Sequence, residues 1–115
     1  MMDKTKLKLT PFRYDELDAS FEGLREWIDS DHYTDEERKA LKEMLYALDN
    51  CDEKRTHRVM HITLEGLKAL EGEMENICER MTPSHSCFTF GEWRSMNLFW
   101  KAIRKKIRDN TPLKS

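Results

Sequence analysis

The chain is poor in the residues that build coil, covalent staples and membrane spans. Four Gly and three Pro in 115 residues exclude a collagen-like or low-complexity polymer. The three cysteines, Cys51, Cys78 and Cys87, are an odd number at spacings that match no common disulfide framework or zinc knuckle, so reduced thiols are expected. No apolar run approaches the ~18 residues of a membrane span. Met1 to Leu9 alternates lysines with short apolar residues instead of offering a signal-peptide core, and the C-terminus carries no lipidation box. These absences point to a cytoplasmic protein without membrane attachment. A chain of this length buries roughly two thirds of the surface its unfolded form exposes, so residues 1–115 are expected to form one domain without help from a metal or disulfide.

Catalytic signatures are equally scarce. There is no glycine-rich phosphate loop, no paired-histidine zinc-protease motif and no serine elbow. The expectation is a non-enzymatic protein without a cofactor.

Charge is abundant, at 37% of residues, and unevenly spread. Residues 15–53 hold 14 Asp or Glu against 4 Lys or Arg, a balance of −10, whereas residues 93–115 hold 7 Lys or Arg against one Asp, a balance of +6. Such asymmetry bears on partners as well as on internal packing.

Hydrophobic periodicity predicts four helices. Thr10 and Pro11 form an N-cap and first helical position, and Leu17, Phe21, Leu24 and Ile28 recur at helical spacing, giving a helix over 11–29. Thr34 with Glu37 is a capping box opening a second helix over 35–49, with Leu41, Met44, Leu45 and Leu48 as its stripe. Met60, Thr63, Leu67, Leu70, Met74, Ile77 and Met81 alternate by three and four, which predicts a long third helix over 53–81. Val59, Ile62, Leu64 and Ala69 widen its apolar arc, so it is expected at the centre of a bundle. Gly66 and Gly72 weaken it by about 1 kcal/mol each relative to Ala. The β-branched stretch Thr56 to Thr63 admits a second reading, a short strand pairing with Lys4 to Leu9. Thr89 with Glu92 is another capping box, and Trp93, Met96, Trp100, Ile103 and Ile107 carry a fourth helix over 89–108. The expected fold is all-α: a compact four-helix bundle with a long central third helix, a short lysine-rich N-terminal arm over 1–9 and a C-terminal tail over 110–115.

Two charged faces stand out on these helices. On the first, Asp15, Asp18, Glu22, Glu26 and Asp29 follow steps of three and four, a ladder of like charges that destabilises the helix by roughly a few tenths of a kcal/mol per pair. With Trp27, His32 and Tyr33 at its end, this ladder suits docking on the basic surface of a partner protein, because aromatics beside charge are common interface anchors. On the fourth helix, Arg94, Lys101, Lys105 and Arg108 form a basic stripe with Leu98 exposed among them, a pattern that can track phosphates. A helix-turn-helix variant puts Asn50 to Asp52 at the turn and Lys54, Arg55, Thr56, His57 and Arg58 at the start of a recognition helix.

Metal candidates are weaker. Glu53, His57, His61 and Glu65 line up at four-residue steps on the third helix, where His57 and His61 can grip one transition metal. The preferred reading is the solvated stripe of an amphipathic helix, because the sequence places no third strong ligand. Cys78, His85 and Cys87, joined by Cys51, form a Cys/His set at an unfamiliar spacing, and free cysteine on an apolar stripe ordinarily behaves as a small hydrophobe. The heptad of the third helix also fits a homodimer.

The sequence therefore predicts a small interaction protein, an inhibitor, adaptor or regulator that binds a macromolecular partner through charged helix faces. In compactness and lack of catalytic motif it resembles small accessory proteins of phages and mobile elements. The alternative is a nucleic-acid-binding regulator using the fourth helix or the start of the third.

Overall fold

The computed structural model of the protein describes residues 4–84 and 86–111. The elements in chain order are β1 (Lys4–Leu9), α1 (Pro11–Ser20), α2 (Glu22–Trp27), α3 (Asp35–Asp49), β2 (Asp52–Glu53), β3 (Arg58–Thr63), α4 (Leu64–Arg80) and α5 (Phe90–Asn110). The architecture is mixed rather than all-α, because a three-stranded antiparallel sheet in the order β1-β3-β2 accompanies the helices. Residues 1–3 of the expected arm and 112–115 of the expected tail lie outside the described residues.

The correction falls on the N-terminal third of the expected third helix and on the arm. Residues 53–63 carry apolar side chains that satisfy two periods at once. Met60, Thr63 and Leu67 are spaced for a helix, while Met60 and Ile62 alternate as a strand does. The strand period prevails because a partner is at hand. β1 alternates Lys with Thr or Leu and pairs with β3 in a register that sets Leu7 opposite Met60 and Thr5 opposite Ile62. Leu7, Leu9, Met60 and Ile62 are all buried on the inner face of the sheet. The helix begins where the strand ends: the Thr63 hydroxyl accepts the Gly66 N–H at 3.1 Å as N-cap and donates to Glu43 Oε2 at 2.7 Å, which joins the α4 start to α3.

Locally encoded features form as the sequence predicts. α3 spans Asp35–Asp49, and both capping boxes close: the Thr34 N–H donates to Glu37 Oε1 at 3.0 Å and the Thr89 N–H to Glu92 Oε1 at 2.9 Å, each answered by the reciprocal bond. Thr10 caps α1, with Pro11 at its first position. The first helix is interrupted, however. Its backbone leaves helical geometry at Phe21 (φ −93°, ψ 1°), between Ser20 and Gly23, both weak helix formers.

α4 packs between α3 and α5, and the inner face of the sheet closes on α3 and α4. The buried residues make one contiguous cluster, in which Phe21, Met44, Leu70, Met74 and Phe99 are almost wholly shielded. The heptad residues Leu67, Leu70, Met74, Ile77 and Met81 are buried within the chain's own core. Gly66 permits the close approach of α4 to α3: a Cβ there would lie 3.2 Å from the Met44 backbone nitrogen and 3.0 Å from Ile62 Cγ1. Arg13 ties α1 to α5, donating through Nη2 to the Ser95 carbonyl at 3.0 Å while its guanidinium lies 5.3 Å from the Phe99 ring centroid. Among the described residues, no helix is long and apolar enough to cross a membrane.

Candidate functional site

The break at Phe21 divides the acidic ladder. Asp15 and Asp18 stand on α1, Glu22 and Glu26 on α2, and Asp29 beyond its end. Two of the five carboxylates are engaged in internal pairs: Asp18 pairs with Arg25 at 3.0 Å, and Arg25 also reaches Asp49 at 2.7 Å, while Asp29 pairs with Lys42 at 2.9 Å. The Lys42 hydrogen bond holds the Asp29 carboxyl below its ordinary range. Asp15, Glu22 and Glu26 are exposed and form no salt bridge among the described residues.

The aromatic residues at the end of the ladder do come together. Gly23, Leu24, Trp27, His32, Tyr33 and Glu73 line a groove of about 420 Å³. Trp27 is 66% exposed, a large apolar surface left in water. The His32 and Tyr33 rings meet edge to face at 5.1 Å. Arg38 fixes the loop behind them, donating to the carbonyls of Ile28, Ser30 and Tyr33. Glu73 completes the wall from α4, and burial pushes its carboxyl above the ordinary value, with Arg80 offsetting part of that effect. A carboxylate drawn out of water beside aromatic rings favours an incoming cation. Glu73 was not among the residues the sequence singled out. Its only local sign is a charged residue directly before Met74 on the heptad seam, and the groove it completes depends on α2, which is distant in sequence.

The basic stripe of α5 is intact. Arg94, Lys101, Lys105 and Arg108 are exposed, and the last three line a shallow groove of about 480 Å³ with Leu98, which is 52% exposed. Arg104 also lines this groove, with its guanidinium stacked 3.8 Å over the Trp100 ring and 3.5 Å from Glu71.

The helix-turn-helix and histidine readings fail for one reason. Lys54, Arg55, Thr56, His57 and Arg58 do not begin a helix; they belong to the turn between β2 and β3 and the first residue of β3, closed by the Lys54 N–H donating to the His57 carbonyl at 2.8 Å. Arg58 lies 4.0 Å over the Tyr14 ring instead of projecting toward a duplex. In extended chain, four residues span roughly 13 Å, against about 6 Å along a helix, so His57 and His61 lose the spacing that suited one metal. His61 Nε2 instead meets Asp52 Oδ2 at 2.7 Å. Among the described residues, no three His, Cys, Asp or Glu gather as a metal-holding group. Of the cysteine set, Cys78 is buried with its thiol pushed up to about 11 by desolvation. Cys87 is exposed, and His85 lies outside the described residues.

Comparison with known protein families, with curated proteins and with solved structures returns no match.

Proposed function

We propose that this is a cytoplasmic, non-enzymatic interaction protein, an inhibitor, adaptor or regulator, that docks on a basic surface of a partner protein through α2 and the loop following it. The observation that carries this reading is the exposure of Trp27 at the mouth of a groove walled by Tyr33, His32 and Glu73. A lysine or arginine from the partner would enter against the aromatic faces and meet the partly desolvated Glu73 carboxylate. Glu22 and Glu26, each one position before Gly23 and Trp27 on α2, would steer the encounter. Asp15 extends the negative surface along α1, whereas Asp18 and Asp29 are engaged in internal pairs and contribute less. The test is recovery of partners from lysate of the source cell or its host, after nuclease treatment, on immobilised wild type, Trp27→Ala and Glu22→Lys/Glu26→Lys. A protein retained by the wild type and lost from both variants supports the reading; equal recovery on all three removes α2 from the interface.

A second reading rests on the α5 groove, where Lys101, Lys105 and Arg108 surround the exposed Leu98. Under it, duplex DNA binds with steep salt dependence and Lys101→Glu/Lys105→Glu weakens it. A flat salt response rejects it.

A further inference from the structure

β1 and β3 each present one face to the core and the other outward. The outward positions of β1 are Lys4, Lys6 and Lys8, all exposed, and in register opposite them on β3 lie Thr63, His61 and Val59. Alternate residues on a strand are spaced by about 7 Å, so the three lysines leave the same face of β1 at evenly stepped positions. Beside this row the flank of α3 completes a groove of about 560 Å³, to which Lys4, Arg38, Lys39, Lys42, Tyr46 and His61 contribute. That volume lies within the range of small-ligand sites.

The charge gathered there is unexpected from the sequence. Residues 15–53 are strongly acidic, yet three of their four cations, Arg38, Lys39 and Lys42, line this groove. Two of these cations are already paired, Arg38 with Asp35 at 2.8 Å and Lys42 with Asp29 at 2.9 Å, as is His61 with Asp52 at 2.7 Å, while Glu43 accepts from the Thr63 hydroxyl at 2.7 Å; the cations left for a ligand are Lys39 and the lysines of β1. Lys4, Lys6, Lys8 and Lys39 form no salt bridge among the described residues. The aromatic component is Tyr46, 63% exposed on α3, with Lys4 Nζ 5.7 Å from its ring centroid.

We infer that the outer face of the sheet and the adjoining flank of α3 bind single-stranded nucleic acid. A row of lysines on a strand supplies a track for successive phosphates, and an exposed ring bordering that track supplies a surface on which a base stacks. A single strand can lie along the groove with a base on Tyr46 and its phosphate near Lys4. A duplex keeps its bases inside and leaves Tyr46 without a role. An acidic peptide would satisfy the lysines but leaves the exposed ring without a π-faced partner. The site is distinct from the α5 stripe and independent of the α2 groove.

The experiment is fluorescence anisotropy of a labelled oligothymidylate titrated with the full chain at about 50 and 200 mM salt. Affinity should fall with salt, and Lys6→Glu/Lys8→Glu, two exposed changes checked for fold by circular dichroism, should weaken binding by about tenfold or more. Tyr46→Ala should weaken it several-fold while leaving the salt slope unchanged, and Lys101→Glu/Lys105→Glu should have no effect. The inference is overturned by absence of binding, by loss confined to the α5 variant, by an unaffected Tyr46→Ala, or by equal competition from a polyglutamate peptide.

Discussion

The Arg38 Nε donates to the carbonyl oxygen of Ile28 at 2.9 Å, clasping the chain ten residues upstream. The same guanidinium reaches the Ser30 carbonyl at 2.9 Å, the Tyr33 carbonyl at 3.2 Å and Asp35 at 2.8 Å. One planar cation thus organises the whole connection between α2 and α3, including the Tyr33 side of the aromatic groove.

Removing that cation should be felt locally and globally. Arg38→Met is expected to lower stability by about 1.5–3 kcal/mol, the scale of hydrogen bonds to a charged group, read as the shift in urea midpoint. Amide exchange should accelerate over residues 29–33 and stay slow in α5. Arg38→Lys should recover little, because a single ammonium cannot reproduce the fork. An unchanged midpoint for both variants would falsify the clasp.

Glu73 carries a pH dependence of definite sign. Burial raises its carboxyl above the ordinary 4.5, so the folded state binds this proton more tightly than the unfolded state does. The group's contribution to stability is therefore greatest below 4.5 and is lost as pH rises through the raised value. Glu73→Gln should raise the melting temperature at neutral pH and leave it unchanged well below 4.5. The same variant should bind a basic partner less well. A gain of equal size at both pH values would mean that the carboxyl titrates as it does in the unfolded chain.

Two glycines of α4 should answer substitution in opposite ways. A Cβ at Gly72 meets nothing within 4 Å, so Gly72→Ala should stabilise the protein by about 0.5–1 kcal/mol through helix propensity and chain entropy. At Gly66 the Cβ presses on the α3 backbone at Met44. Gly66→Ala should forfeit that gain and destabilise by roughly 1 kcal/mol. Urea denaturation of the two variants side by side decides the matter, and a similar gain in both would show that α4 can shift away from α3.

The parts of the fold legible in the sequence are those with local causes. Thr34 with Glu37 and Thr89 with Glu92 announce their helices because the donor and acceptor of a capping box lie three residues apart. The identity of residues 58–63 has no such local cause. Met60 and Ile62 suit either period until Leu7 and Thr5 lie against them, and that pairing spans more than fifty residues. The β-branched residues between Thr56 and Thr63 are what make a strand the second reading of the sequence there. Of the acidic ladder, the groove that Trp27, His32 and Tyr33 form with Glu73 is not written in the local sequence, and the pairing of Asp29 depends on Lys42 and that of Arg25 with Asp49 on α3, which only the tertiary fold brings alongside. The lysine-lined sheet face was hidden for the same reason, since its cations come from β1 and α3 and assemble only once the sheet exists.

The register that sets Lys4 opposite Thr63 also orders events during synthesis. β1 leaves the ribosome well before β3, and at ~5–20 residues per second it waits several seconds for its partner. Throughout that interval it is an unpaired strand bearing Leu7 and Leu9. Alternating lysines are the kind of gatekeeper that keeps such a segment from pairing with a neighbouring nascent chain. Replacing them with neutral residues would therefore tax the newborn polypeptide more heavily than the finished one, and the loss would be seen in soluble yield before it was seen in a melting curve.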